Sequence, residues 1–356
     1  MSSDRIPFSE AVHAQPKLLT AAVEHIEASI AGASLAQWQT GETVAVLAMG
    51  ASTNSGHAFV AALAERGVRG VNLTASDVAS YPASFEPADH YLLVTESGRS
   101  PEPIEAARER GAGRRIAITN FPDAAISEVA DHSIGYGGID DAPVYTSGYL
   151  ATLASYAALI DAMGLASGLD LQAVPKTVAD ALEIFAPTAQ ELAPLFDGIG
   201  AADLIGRGFG FCSATQGALI FREALRLPAT GWETYQFIHG PLESAGSDTV
   251  LIVIGEGREL DVVPQLAKAG VRVIVLTAAD ESRRAKLEGD SVHVVSLART
   301  AYGFERTIVE TVVLQLIAES VAARQGITIE QFLYSQPDTK LPKPDGEDTE
   351  SQGSTS

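Results

Sequence analysis

The sequence predicts an α/β protein built from two tandem, doubly wound parallel-sheet domains with helices on both faces. Three observations predict it. Short, continuous apolar runs alternate with helical segments. Several of these runs are followed at once by a turn rich in Gly, Ser and Thr. The same plan then repeats in the second half of the chain.

Taken in order, residues 8–31 read as a helix, with Leu18, Leu19, Ala22, Ile26 and Ile30 at helical spacing. VAVLA at Val44–Ala48 reads as a buried parallel strand. The turn Gly50–Gly56 follows, then a helix through Ala64. Strands are expected at Gly70–Leu73, Tyr91–Val94 and Arg115–Thr119, and helices at Pro101–Arg110, Ala124–Ala130 and Ser147–Met163. In the second half, strands are expected at Asp203–Gly206, Thr249–Ile254, Val271–Leu276 and Ser291–Val295. Helices are expected at Ser213–Leu225, Leu260–Lys268 and Phe304–Ala323. VAVLAMGAST parallels DLIGRGFGFC, YLLVTESGRS parallels TVLIVIGEGRE, and RRIAITN parallels VRVIVLT. The interval from Gly50 to Gly98 nearly equals that from Gly208 to Gly255. The expected organisation is an N-terminal helical segment at 1–35, a first domain at 36–170, a second at 185–330, and an acidic, disordered tail at 331–356.

Composition narrows the function. The 356 residues carry a formal net charge of -21, which disfavours nucleic acid and anionic membrane as partners. No stretch approaches the ~20 apolar residues that span a bilayer, and the polar N-terminus lacks a signal core. A cytoplasmic location is expected. The single cysteine, Cys212, excludes an internal disulfide. The histidines show no metal-ligand spacing, and no cofactor is expected.

Two turns suit an anion. Gly50-Ala51-Ser52-Thr53-Asn54-Ser55 and Thr95-Glu96-Ser97-Gly98-Arg99-Ser100 each follow a strand and open a helix. Such turns offer free N–H groups and the positive end of a helix dipole. Ser52, Thr95, Ser97 and Ser100 add hydroxyls. Each turn alone also reads as an ordinary N-cap; their recurrence in one repeated unit favours the ligand reading. Gly208-Phe209-Gly210 lacks the third glycine of a dinucleotide fingerprint, because Ser213 stands there.

These features resemble the sugar isomerase (SIS) domain proteins. That family includes the isomerase half of glucosamine-6-phosphate synthase, the SIS-type glucosamine-6-phosphate deaminases and the fructosamine-6-phosphate deglycases. The resemblance runs from Gln15-Pro16 to Ala323. It is carried by AMGASTNSG, TESGRSPE, GRGFG and the block QGALIFREALRLPATGWETYQFIHGPLES, in which His-Gly-Pro is the most specific mark. It implies flavodoxin-like domains, a homodimer with a shared active site, and a phosphorylated, often aminated, sugar as ligand. It places the phosphosugar at Ser52, Thr95, Glu96, Ser97, Ser100, Val144 and Ser147. Glu223 maps to the catalytic carboxylate. His239 maps to the ring-opening histidine, which reaches the site across the dimer interface. From the residues alone, Glu223 reads first as a solvated charge beside Arg222 and Arg226, and His239 as a loop residue before Gly240-Pro241.

The chain departs from the pattern at four places. Glu96 stands where the family often has Gln. Family lysines are replaced by Ile220 and Gly148. The lysine-bearing tail that forms an imine in the synthase is matched only by Lys340 or Lys343. No cysteine nucleophile follows Met1, so glutamine-dependent synthesis is not expected. Three readings remain: a deaminase or deglycase using Glu223 and His239, a plain aldose–ketose phosphate isomerase, and a non-catalytic sugar-phosphate sensor.

Overall fold

The computed structural model describes residues 5–287, 289–300, 303–334 and 336–342. The first half contains α1 (Phe8–Ala31), β1 (Thr43–Ala48), α2 (Gly50–Glu65), β2 (Arg69–Thr74), α3 (Ala75–Ser80), β3 (His90–Val94), α4 (Pro101–Arg108), β4 (Arg115–Thr119), β5 (His132–Gly135) and α5 (Ser147–Ala162). The long helix α6 (Val174–Leu192) leads into β6 (Ala201–Gly206), α7 (Phe209–Leu225), β7 (Ala229–Glu233), α8 (Thr234–Ile238) and β8 (Thr249–Ile254). The chain continues through α9 (Val263–Lys268), β9 (Arg272–Thr277), α10 (Glu281–Arg284), β10 (Val292–Ser296) and α11 (Phe304–Gln325).

All strand pairs are parallel. The first sheet has the order β2-β1-β3-β4-β5 and the second β10-β9-β8-β6-β7. Counted within its own domain, the second order is the first read from the other edge. Both are the flavodoxin-like 2-1-3-4-5 arrangement, whose strand order reverses between its first and third strands.

Alternation along the strands explains the layers. Val44, Val46 and Ala48 face a large central cluster, while Ala45 and Leu47 face a separate outer one. In the second sheet, Val250, Ile252 and Ile254 face the same central cluster, and Leu251 and Val253 face outward. Helices α1, α2, α5, α6, α7 and α11 contribute to this central cluster, so one hydrophobic core covers the inner faces of both sheets.

Several expectations needed correction. Ala124–Ala130 forms a short 3-10 turn, Ala125–Glu128, and not an α-helix. Helix α7 starts at Phe209, four residues before the expected Ser213. Segment 260–268 opens as a 3-10 turn, Arg258–Val262, before α9 begins at Val263. Strands β5 and β7 were not anticipated. Both are edge strands with polar or glycine-rich sequences, HSIG and ATGWE, and carry no apolar run. Part of the expected disordered tail is packed: Leu341 lies against the outer cluster of the first domain. Residues 343–356, including Lys343, lie outside the described residues.

Candidate functional site

Strands β1 and β3 are neighbours, with Ala48 in register with Val94. The two hydroxyl-rich turns therefore emerge side by side at the carboxyl edge of the first sheet, at its topological switch point. The second turn is held by its own bonds. Thr95 Oγ1 and Ser100 Oγ are 2.9 Å apart, and Arg99 N–H donates to Ser97 Oγ at 3.2 Å. Thr119 Oγ1 and Asn120 N–H both donate to the Glu96 carbonyl at 3.0 Å. Ser100 sits at the N-cap of α4 without bonding back to the helix, so its hydroxyl is not spent on capping.

Gly98 makes this turn possible. Its φ is +63°, and an added Cβ would stand 2.7 Å from Ala124 Cβ and 2.8 Å from the Phe121 carbonyl. Gly98→Ala is expected to destabilise the fold by about 1–3 kcal/mol through left-handed strain and collision. It should also weaken phosphate-ester affinity more than tenfold. Thermal unfolding and calorimetric titration read the two effects separately.

Helix α7 reaches this crevice from the second domain. It packs on α2, with Asn54 Nδ2 donating to the Thr215 carbonyl at 3.3 Å and to Gln216 Oε1 at 3.2 Å. One turn further along α2, the His57 ring meets Phe211, one turn earlier on α7, at 4.5 Å between centroids. The helices therefore run antiparallel. That sense points the C-terminal half of α7, where Glu223 lies, toward the start of α2, where Ser52 lies.

Glu223 is the third residue from the end of α7 rather than mid-helix. Its neighbouring arginines are committed elsewhere. Arg222 Nε donates to the Ala229 carbonyl, and Arg226 Nη2 donates to the carbonyls of Thr328 and Gln331. Among the described residues Glu223 has no ion-pair partner, and burial raises its carboxyl to about 7. The side chain is half-buried.

The remaining expected site residues separate. His239 ends α8, is exposed, and its backbone N–H donates to the Tyr235 carbonyl. No hydrogen bond joins it to Glu223 among the described residues. The Val144 side chain belongs to the central core, so at that position only the backbone is free to face a ligand. Ser147 is fully buried, and its hydroxyl has no hydrogen-bond partner among the described residues. Cys212 is buried beside Tyr149 Oη at 3.1 Å, and burial pushes its thiol up to about 12, as expected of an inert core thiol. Ile220 is fully buried in the core and is not directed at the crevice.

Three features of the site were missed in the sequence. Asn120 bridges the Glu96 side chain and Ile139 by side-chain bonds from β4's carboxyl end. Its position just after the strand, in ITN, was the available signal. Asp141 accepts from the backbone N–H groups of Ala142, Thr146 and Gly148 and from Thr146 Oγ1, fixing the start of α5. Finally, Leu341 N–H donates to the Arg99 carbonyl at 2.8 Å while Arg99 Nη1 donates to the Leu341 carbonyl at 2.9 Å. This docks the Lys340 segment on the second turn.

The matching crevice of the second domain is filled differently. Glu259 Oε1 accepts from Gly257 N–H at 2.8 Å, so a protein carboxylate occupies the turn after β8. Glu256 accepts from Ala278 N–H and pairs with Arg306 at 2.5 Å. Arg306 also meets Glu310 at 3.2 Å, and Ser213 Oγ donates to Glu310 at 2.6 Å. Among the described residues no group of His, Cys, Asp and Glu side chains is arranged to hold a metal ion, and no helix is long and apolar enough to cross a membrane.

The chain thus has two flavodoxin-like domains, a hydroxyl-lined crevice on the first and a half-buried carboxylate on the second. No family model matches the chain. The glutamine–fructose-6-phosphate aminotransferase of Pyrobaculum aerophilum is 24% identical over 336 residues, covering 88% of this chain and 54% of that protein. The enzyme of the same description from Methanothermobacter thermautotrophicus is 25% identical over 245 residues, covering 66% of this chain and 41% of that one. The chain spans about half the length of the curated relatives it matches.

Among solved structures, the C-terminal domain of glucosamine-fructose-6-phosphate aminotransferase from Francisella tularensis superposes with a TM-score of 0.76 at 18% identity, covering 91% of this chain and 98% of that one. Glucosamine-6-phosphate deaminase from Thermotoga maritima gives 0.72 at 16%, covering 92% and 98%. Tagatose-6-phosphate ketose/aldose isomerase from Escherichia coli gives 0.71 at 16%, covering 93% and 96%. These structures establish the fold. The sequence matches add that the chain is similar to the glutamine–fructose-6-phosphate aminotransferases over about half of their length.

Proposed function

We propose that the chain binds a phosphorylated sugar at the turns after β1 and β3 and moves a proton between its C1 and C2. The substrate class supported best is an amino-sugar phosphate of the glucosamine-6-phosphate type, converted to the ketose phosphate with loss of ammonia. The observation that carries this reading is Glu223. It is a carboxylate raised to about 7 by burial, without an ion-pair partner among the described residues, on a helix that packs against the α2 end of the crevice. A base poised near neutrality suits carbon-to-carbon proton transfer.

In this reading the ring opens first, with His239 carrying the proton between ring oxygen and C1 hydroxyl. His239 is exposed on its own chain, which fits action in the site of a second copy. Glu223 then takes the C2 proton, giving an enolamine, and returns it to C1. The resulting C2 imine adds water and releases ammonia. Overall, one water is consumed and one ammonia leaves. The hydroxyls of Ser52, Thr95, Ser97 and Ser100 hold the phosphate, and Ser147 and the Val144 backbone line the sugar.

The deciding experiment measures ammonia and fructose 6-phosphate formed from glucosamine 6-phosphate. Release of both in equal amounts supports the deaminase reading. Absence of both removes that substrate, and turnover of a fructosamine 6-phosphate or of a plain aldose phosphate then assigns a deglycase or an isomerase. Binding without turnover of any of these leaves a sugar-phosphate sensor.

A further inference from the structure

Glu96 is a carboxylate inside a turn built to hold an anion. Its backbone is fixed by Thr119 and Asn120, and its side chain accepts from Asn120 Nδ2 at a long 3.3 Å. Facing it across Gly148 is Asp141. A Cβ on Gly148 would lie 3.1 Å from Asp141 Oδ2, 3.5 Å from Tyr145 Cε1 and 3.7 Å from Glu96 Cγ, so the two acids and the Tyr145 ring converge on one point.

The two acids are provisioned unequally. Asp141 is buried and accepts from four donors, three backbone N–H groups and Thr146 Oγ1. Burial raises the Asp141 carboxyl as well, and this donor set opposes that rise. Among the described residues Glu96 has the single long bond from Asn120. Burial pushes its carboxyl upward and the Asp141 charge adds to the push, while Lys340, Asn120 and Arg5 oppose it. Tyr136 completes the surroundings as a buried phenol held neutral. Beside Gly148, the fully buried Ser147 hydroxyl has no hydrogen-bond partner among the described residues.

We propose that Glu96 takes up one proton from solvent when a phosphate dianion enters the turn, and as the neutral acid donates to a phosphoryl oxygen. This rests on the phosphate-site reading above and adds proton coupling to it. The entering dianion is a further like charge beside Glu96 and Asp141, and Asp141 is already committed to its donors. Glu96 is therefore the group that changes state. Because binding raises the proton affinity of Glu96, binding consumes a proton and weakens as pH rises. The loss approaches about tenfold per pH unit between the free and bound values of Glu96.

The test is calorimetric titration of fructose 6-phosphate into the full chain between pH 7 and 9, in buffers of different ionisation heat. A phosphate monoester has a second pKa of about 6, so in this range the ligand itself takes up little. The expected result is net proton uptake on binding within the range, absent in Glu96→Gln, whose affinity is flat with pH. Circular dichroism checks that the isosteric variant is folded. Absence of uptake in the wild type, or equal uptake in Glu96→Gln, overturns the proposal while leaving the phosphate site in place. Failure of the folded protein to bind either fructose 6-phosphate or inorganic phosphate overturns both.

Discussion

Replacing Glu223 by Gln is expected to lower turnover of the sugar phosphate by about 10²–10⁴-fold while leaving ligand binding within a few-fold of wild type. The amide keeps the shape of the side chain and removes only the ability to accept a proton. The same residue sets the pH profile. Glu223 must be ionised to act as a base, so wild-type kcat/KM should fall as pH drops below about 7. The variant's residual rate should lack that limb.

A stability measurement sharpens the test. The folded-state carboxyl lies above its unfolded value, so the folded chain favours the protonated form. Its stabilising effect is full at low pH and is lost as pH rises from the unfolded value through about 7. Glu223→Gln removes that penalty. At pH 8 the variant should be more stable than wild type by on the order of 2 kcal/mol, read from urea unfolding. A variant that is inactive and less stable at pH 8 would mark Glu223 as a structural residue.

Arg306→Met is expected to cost about 3–5 kcal/mol of folding stability. Arg306 is buried between Glu256 and the fully buried Glu310. Its removal takes the guanidinium away from a buried carboxylate that also accepts from Ser213 Oγ. The double variant Arg306→Met, Glu310→Met should lose less than the single one, because no buried charge is left uncompensated. Unfolding midpoints in urea measure both. A single-variant loss below about 1 kcal/mol would class the cluster with ordinary exposed ion pairs.

What could be read in the sequence follows from where information is local. Val44–Ala48, Tyr91–Val94 and Thr249–Ile254 are interior strands buried on both faces, and a run such as TVLIVI has no other home. Strands β5 and β7 lie at sheet edges, where half the contacts that would demand apolar residues do not exist. Their sequences carry correspondingly little signal. The hydroxyl turn was legible because its glycine, its hydroxyls and its helix start are contiguous.

The character of Glu223 was not, because it depends on where Arg222 and Arg226 go. Their carbonyl partners at Ala229, Thr328 and Gln331 are set by tertiary contacts. Asp141 was missed for a related reason: its donors follow it by one to seven residues, in a loop without regular periodicity. The docking of Leu341 on Arg99 joins parts of the chain that no local pattern connects.

The seam between α2 and α7 gives the molecule a gauge. The hydroxyl turns belong to the first sheet, whereas Glu223 rides on a helix of the second. The span between phosphate grip and proton acceptor is therefore set by neither sheet alone. It is set by how far α7 is advanced along α2, a setting locked by Asn54 on Thr215 and by His57 on Phe211. Sliding that contact by one helical turn would move the base by about 5.4 Å, several carbon–carbon bonds along an open sugar chain. On the proposed function, sugars of different length would be sorted by a calliper whose jaws lie in separate domains and whose screw is a helix–helix contact.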